Sequence, residues 1–329
     1  MEVAPAEHRV DLSVIVVSYN VRSYLAECLR SLPDACTGLT WESFVVDNAS
    51  HDGSAALVAT EFPSVRLLAK GGNVGFARAV NTALPLTRGR YVLLFNPDAA
   101  APPRTLYRLV TIADRWPTAG LLSPAHRNPS TNEIRPLLQP FPTWRSVFHG
   151  YTLARWVLPS PRRPARWREA EVDKPTTAGW FSGGALLIRR EMLDAIGGLD
   201  ERFFMWGEDI EYCRRAIRSG WPLFCAADVV VDHHGGRSHV QERPGWVMFR
   251  LFESLLGYLA AADPRTTPVL KPLFKLCLLA TLLGRLPEHA VKFSACRVFG
   301  RASRAARHRR RLAQTTDFLR SFAGPFLRL

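Results

Sequence analysis

No two cysteines of this chain stand at a spacing that binds metal or closes a small loop. The six (Cys28, Cys36, Cys213, Cys225, Cys277, Cys296) are scattered, with no CxxC among them. That speaks against a zinc ribbon or a disulfide scaffold and predicts reduced, mostly buried thiols in a cytosolic compartment. Long apolar runs are missing as well. No stretch reaches the ~18 uninterrupted apolar residues of a membrane-crossing helix. The nearest, Leu273–Leu283, is broken by Lys275. Met1–Val10 carries two Glu and no apolar core, so residues 1–10 are expected to form a disordered tail and not a signal peptide. Internal repeats are absent. Acid is scarce beside base, with 29 Asp and Glu against 43 Lys and Arg, a net charge of +14. Such an excess predicts a polyanionic neighbour, either nucleic acid or an anionic membrane face.

What is present is globular. Hydrophobic residues make up 47% and charged residues 22% of 329 positions, enough for a large domain with an appendage or two modest domains. The most organised stretch is Tyr91–Asp98. Five apolar or aromatic residues, Tyr91 to Phe95, suit a strand covered on both faces. Pro97 cannot continue a central strand, so pairing stops at Asn96. Asp98 then stands beyond the strand's carboxyl end, where open α/β sheets bind ligands. A carboxylate there can hold a divalent cation, and the cation a diphosphate. On its own, Asn-Pro-Asp is also an ordinary turn.

The remaining chain alternates. Leu12–Val17, Phe44–Val46, Val65–Leu68 and Tyr91–Phe95 read as strands; Val21–Leu32 (stopped by Pro33), Ala55–Phe62, the segment after Gly75 and Arg104–Trp116 read as helices. This predicts a doubly wound parallel sheet. From Pro124 to Pro175 nine of the 24 prolines accumulate, which reads as irregular excursion. Order returns with Ala185–Ile188, a helix opened by Glu208-Asp209 and capped at Gly220, and a last strand at Val229–Val231. Beyond Arg243-Pro244 the chain becomes helical and basic, with seven arginines between Arg297 and Arg311. Polar clusters fall at strand ends: Asp47/Asp52, Asn73, Asp98 and Glu208/Asp209, with His233 in a further loop. Parallel topology would bring such loops to one sheet edge. The Gly71–Gly75 loop would let backbone approach an anionic ligand.

Six motifs in order resemble family 2 glycosyltransferases: Ser-Val-Ile-Val-Val-Ser-Tyr-Asn, Val-Val-Asp-Asn-Ala-Ser-His-Asp-Gly-Ser, Asn-Val-Gly-Phe-Ala, Leu-Leu-Phe-Asn-Pro-Asp, Gly-Glu-Asp-Ile-Glu-Tyr and His-His-Gly-Gly-Arg-Ser. The resemblance covers roughly Leu12–His239 and is closest to the rhamnosyltransferase-like branch of bacterial cell-wall and O-antigen assembly. It implies an α/β, GT-A fold: a mostly parallel sheet with helices on both faces over residues 11–240, followed by a helical, basic region at 241–329. It also implies inverting transfer of a sugar, L-rhamnose being the candidate, from a dTDP- or UDP-linked donor to a lipid-linked glycan or polysaccharide acceptor. Mg²⁺ or Mn²⁺ would be the cofactor, held by Asp98 and His233. The first Asp of the commoner Asp-x-Asp form is replaced by Asn96, which removes one negative ligand.

The same resemblance implies a donor site made by Ser18, Asn20, Asp47, Asn48, Asp52, Gly72, Asn73, Phe76, Ala77, Asn96 and Asp98, with Asp47 on the base. Acceptor residues would be Trp180, Gly183, Gly184, Trp206 and Glu208, with Trp180, Phe181, Met205 and Trp206 as an apolar wall. Inverting transfer needs a base for the acceptor hydroxyl, and Asp209, at a helix N-terminus that favours its charged form, is the choice. In the basic region Trp246, Phe249, Phe252 and Leu255 stand at helical spacing, which favours a peripheral position on the anionic inner face of the plasma membrane over nucleic acid. Two other readings remain. A nucleotidyltransferase would want an Arg-rich phosphate loop near Ser18–Arg22, which is lacking; a basic nucleic-acid-binding protein would bind DNA in a salt-sensitive way.

Overall fold

The computed structural model describes residues 10–135, 138–158, 173–236, 242–298 and 302–329. Of the tail expected over 1–10, residues 1–9 lie outside the described residues, as does the Arg237-Ser238 end of the last motif, while Val10 already belongs to the first strand. The chain forms two compact units, Met1–Phe141 with Ala165–Val240, and Pro142–Pro164 with Gln241–Leu329.

The first unit is built on one large sheet and a two-stranded ribbon. Its strands are β1 (Val10–Ser18), β2 (Trp41–Asp47), β3 (Arg66–Ala69), β4 (Gly89–Phe95), β5 (Ala99–Ala100), β6 (Leu121–Arg127), β7 (Ile134–Arg135), β8 (Leu138–Gln139), β9 (Pro175–Thr176), β10 (Trp180–Phe181), β11 (Ala185–Arg189) and β12 (Leu223–His233). The main path runs β3-β2-β1-β4-β11-β6-β12-β5, with β8 and β10 forming a separate two-stranded ribbon. Helices α1 (Arg22–Ala35), α2 (Ser54–Glu61), α3 (Phe76–Ala83), α4 (Thr105–Arg115), α6 (Arg190–Ile196) and α7 (Glu208–Arg218) belong to this unit; α5 (Trp144–Tyr151) belongs to the second.

Alternation along the central strands explains the layering. In β4, Tyr91, Leu93 and Phe95 enter one core with Leu25, Leu29 and Leu32 of α1 and Leu106 and Leu109 of α4. Val92 and Leu94 enter a second core with Val80 of α3, Met192 of α6 and Cys213 of α7. Each of these five β4 residues is at most 2% exposed, and complete burial of such side chains contributes about 1.5–3 kcal/mol apiece. Helices therefore cover both faces, as the sequence predicts.

Three expectations are corrected. The sheet is parallel over β3-β2-β1-β4, but β11 runs antiparallel to both β4 and β6. Pro33 does not stop α1, which continues to Ala35; a proline in the last turn forfeits one backbone bond there and leaves the earlier ladder untouched. Of the Pro124–Pro175 excursion, residues 136–137 and 159–172 lie outside the described residues, and the described part contains regular elements. Pro124 lies within β6, and Thr143 caps α5 by accepting the Ser146 N–H at 3.2 Å.

The second unit contains α5, α8 (Pro244–Ala262), α9 (Thr267–Val298), α10 (Ala302–Ser321) and α11 (Ala323–Arg328). Its core is aromatic: Phe252 meets Phe274 at 6.0 Å, Phe318 at 6.3 Å and Phe326 at 5.8 Å between ring centres. Phe252 and Leu255 are consequently buried, and Phe249 stacks on Phe322. The face of α8 expected to meet a membrane is this unit's own core. Among the described residues, no helix is long and apolar enough to cross a membrane.

Candidate active site

A cleft of about 460 Å³ opens at the carboxyl ends of the parallel strands. From the sequence-predicted set it is lined by Asn48, Asn73, Phe76, Asn96, Asp98, Gly183, Gly184, Trp206, Glu208, Asp209 and His233. Residues from positions 48 to 233 thus converge on one edge.

Asp98 is placed by backbone pairing. Pro97 ends β4, Ala99 donates to the Asn96 carbonyl at 3.0 Å, and the short β5 pairs antiparallel with β12, Ala99 opposite His233. His234 donates its N–H to the Asp98 carbonyl at 3.0 Å. The Asp98 carboxylate (Oδ1) then lies 3.2 Å from His233 Nε2, and Asn96 Nδ2 lies 3.3 Å from the same nitrogen. His234 faces the other way, toward Glu27 and the Tyr24 ring.

The turn before β11 is the second anchor. Because β11 runs antiparallel to β4, its start sits beside the end of β4, and Asn96 donates to the Gly184 carbonyl at 3.0 Å. Gly183 donates its N–H to Asp209 Oδ2 at 3.1 Å. A Cβ at Gly184 would lie 2.6 Å from His126 Cε1 and 2.7 Å from His233 Cε1, so only glycine allows this approach.

Glu208 and Asp209 open α7. Trp206 (φ 62°) and Gly207 (φ 98°) turn the chain through two left-handed residues immediately before it. Such a conformation costs a non-glycine residue about 1–2 kcal/mol, and here it falls on the cleft wall. Burial raises the Asp209 carboxyl to about 6, against hydrogen bonds from Ile210 and Gly183 that hold it down. Burial, then the Asp209 charge, drives Glu208 well above the usual carboxylate range, and its Oε2 has no hydrogen-bond partner among the described residues. The pair keeps a proton far longer than two surface acids would.

At the other end, Ser18 and Asp47 lie opposite each other at the ends of β1 and β2. Ser18 Oγ, Asp47 Oδ1 and Asn48 Oδ1 are buried with no hydrogen-bond partner among the described residues. Buried polar atoms are normally satisfied by protein, water or ligand, so these three adjacent oxygens leave hydrogen-bonding capacity open beside the cleft, which Asn48 lines. Asp47 Oδ2 accepts the Ser50 N–H, and Asn48 Nδ2 donates to the Gly75 carbonyl.

Other predicted residues are placed differently. Asp52 accepts from Arg22 N–H, Ser54 N–H and Ser54 Oγ, tying the starts of α1 and α2; burial opposes its charge, but these bonds hold its carboxyl below the usual range. Asn20, in the left-handed region at φ 52°, accepts the His51 N–H. Gly72 lies on an exposed bend, and Ala77 is buried in the first turn of α3. The expected open N-terminus of α3 is already engaged: Gly75 N–H goes to Asn73 Oδ1 and Phe76 N–H to the Phe204 carbonyl. Of the apolar wall, Met205 and Trp206 line the cleft. Phe181 is core, and Trp180 donates to the Pro140 carbonyl on the ribbon. Tyr19, Ser182, Gly235 and Gly236 line the cleft without having been singled out. Their adjacency to Ser18, Gly183 and His234 was the available signal.

Comparison with known proteins agrees with this geometry. Residues 169–228 match the N-terminal domain of galactosyltransferase. An N-acetylglucosaminyl-diphospho-decaprenol L-rhamnosyltransferase of Mycobacterium tuberculosis is 31% identical over 242 residues, covering 69% of this chain and 77% of that one. Galactofuranosyltransferase GlfT1 of Mycolicibacterium smegmatis is 28% identical over 264 residues, 71% and 78% of the two chains. Among solved structures, the mannosyltransferase PcManGT of Pyrobaculum calidifontis, in complex with GDP-Man and Mn²⁺, superposes with a TM-score of 0.52 at 21% identity, covering 95% of this chain and 88% of that one. That likeness speaks for the fold, which is GT-A. Residues 13–197, more than half the chain, match glycosyl transferase family 2, and with the 31% identical relative this makes the chain a glycosyltransferase of family 2, in its rhamnosyltransferase-like branch.

Proposed function

We propose that the protein is an inverting transferase that moves a sugar from a nucleoside diphosphate to a hydroxyl of a lipid-linked or polysaccharide acceptor. The observation that carries this reading is the Ser182–Gly184 turn. One side of it is bonded to Asn96, beside the Asp98–His233 pair, and the other to Asp209. A diphosphate anchor and a candidate base are thus fixed to opposite sides of three residues. The Mycobacterium tuberculosis relative, named as an L-rhamnosyltransferase acting on a diphospho-decaprenol acceptor, supports L-rhamnose and a lipid-linked acceptor. The dTDP-linked donor is the first to test.

In this reading the orphaned Ser18, Asp47 and Asn48 oxygens receive the donors of a nucleoside. Asn73 and Phe76 flank it, and Asn96 and Asp98 face the diphosphate. Trp206, Gly183, Gly184 and Glu208 receive the acceptor. Asp209 takes the acceptor hydroxyl's proton as that oxygen attacks the anomeric carbon from the face opposite the leaving group. Its hydrogen bonds from Gly183 and Ile210 hold the carboxylate in place.

The Asp98–His233 pair fits a divalent cation, Mg²⁺ or Mn²⁺. A carboxylate oxygen and an imidazole nitrogen stand 3.2 Å apart at the cleft. Among the described residues no cluster of three or more His, Cys, Asp or Glu offers a complete cage, so substrate phosphate and water would supply the remaining ligands, the usual arrangement for cations on nucleotides. A cation bound there would neutralise charge on the departing diphosphate.

The test is a thermal-shift series with dTDP-, UDP- and GDP-linked sugars, each with Mg²⁺ or Mn²⁺. A true donor at 100 times its Kd should add about 2.7 kcal/mol of stability, and the product formed from it should show the inverted anomer by NMR. No shift with any donor, or a retained anomer, overturns the proposal.

A further inference from the structure

The second unit carries a surface unrelated to the cleft. Helices α9 and α10 run antiparallel with a furrow between them. One stretch of the furrow, about 540 Å³, is lined by Leu283, Leu286, Pro287 and Ala290 of α9 with Leu312, Thr316, Leu319 and Arg320 of α10. The next, about 640 Å³, is lined by Phe293 and Arg297 with Ala305, Ala306, Arg309, Arg310 and Ala313. Positions 283, 287, 290 and 297 recur at helical spacing, as do 306, 309, 313, 316 and 320, so both stretches lie on one side of the pair. The furrow is apolar at one end and cationic at the other.

Beside its apolar end runs an exposed stripe of α9. Val269, Leu273, Leu276, Leu283 and Val291 are 47–68% exposed. With Ala280 and Pro287 they fall on one helical face, and no charged residue interrupts that face from 269 to 291. At 1.5 Å per residue the stripe is roughly 33 Å long. A contiguous apolar surface of this length on a folded unit marks a place that meets another apolar phase.

Charge completes the pattern. Residues 241–329 hold sixteen Lys and Arg against five Asp and Glu, and so account for most of the chain's excess of +14. The ion pairs Arg243–Asp317, Arg250–Glu253 and Lys292–Glu288 leave Arg297, Arg309 and Arg310 with no acidic partner among the described residues.

We propose that the α9–α10 face docks in the plane of an anionic lipid bilayer. The stripe and the apolar end of the furrow enter the boundary between headgroups and acyl chains, and Arg297, Arg309 and Arg310 hold lipid phosphates. A nucleic acid would use the arginines but give the uncharged stripe nothing to bury against.

The experiment uses the full chain and sedimentation with two kinds of vesicle, phosphatidylcholine alone or with phosphatidylglycerol added. Wild type should bind the phosphatidylglycerol vesicles and release as salt rises. L276E/L283E and R309E/R310E should each lose at least about tenfold in vesicle affinity, while keeping the wild-type melting temperature and nucleotide-sugar response. That last readout separates this proposal from the assignment of the cleft. Unchanged vesicle binding by L276E/L283E overturns it. So does wild-type binding of duplex DNA as tight as its vesicle binding at equal phosphate, an arm that holds even if a variant does not fold.

Discussion

The backbone N–H of Gly183 donates to Asp209 Oδ2 at 3.1 Å, 26 residues along the chain. An asparagine at 209 can keep that bond through its side-chain oxygen and also suits a helix start. Asp209→Asn should therefore leave donor Kd nearly unchanged while turnover falls roughly 10²–10⁴-fold, the usual contribution of a positioned base. Calorimetric donor binding beside a product assay separates the cases, because joint loss of binding and turnover would make Asp209 a ligand. Glu208→Gln is the companion variant. As an acceptor contact and not the base, Glu208 should change acceptor KM on substitution while turnover at saturating acceptor changes little.

The same carboxyl sets a pH dependence. Burial raises Asp209 to about 6, so the proton-accepting form is complete only above that value, and wild-type turnover should fall as pH drops through about 6. Stability should move in the opposite direction. The folded carboxyl binds protons more tightly than an unfolded one at 3.8, so wild-type stability declines as pH rises from 3.8 to about 6. Asp209→Asn should show a shallower decline, the remainder coming from the buried Glu208, and be the more stable form at neutral pH. Chemical denaturation of both proteins across the window checks the sign.

Asp98→Ala should abolish cation-dependent donor binding and leave the fold intact. The strand contacts at this position come from the backbone, including the His234 N–H to the Asp98 carbonyl. His233→Ala should weaken the same binding by the 10–100-fold typical of a disturbed metal site. Titration of the nucleoside diphosphate with and without Mn²⁺ decides it, and an unchanged Asp98→Ala would remove Asp98 from the site.

Gly184→Ala should damage donor binding as well as stability. Its new Cβ would stand 2.6–2.8 Å from the His126 and His233 rings, and one of them must swing away. Overpacking of this kind costs about 1–3 kcal/mol. A melting temperature lowered with donor affinity intact would show that the rings relax without disturbing the Asp98–His233 pair.

How much of this was legible beforehand depends on the signal. The β-branched run at Leu12–Val17 and the apolar run ending at Pro97 declared two central strands, because composition and a proline stop act locally. The ends of such elements placed Asp98, His233 and Glu208-Asp209 toward one sheet edge, and the cleft is lined by all four; their expected roles came from the family resemblance. The direction of β11 was not legible, since Ala185–Ile188 reads the same in either sense and only pairing with Tyr91–Phe95 fixes it. Nor did periodicity say which side of α8 faces inward. Phe252 and Leu255 form an apolar stripe in sequence, and the partners of Phe252, namely Phe274, Phe318 and Phe326, come from three other helices. The orphaned oxygens of Ser18, Asp47 and Asn48 appear only once β1 and β2 are laid side by side.

The pairing of Ala99 with His233 has a temporal meaning. Asp98 is synthesised 135 residues before His233, and the two meet only when β12, the last strand of the sheet, docks beside β5. Strands β1 to β4 can assemble on a growing chain long before that. Until β12 arrives, Asp98 ends a strand without its imidazole partner. A chain halted before residue 223 would lack the Asp98–His233 pair, so on the proposed reading cation-dependent donor binding during refolding should begin only when β12 closes the sheet.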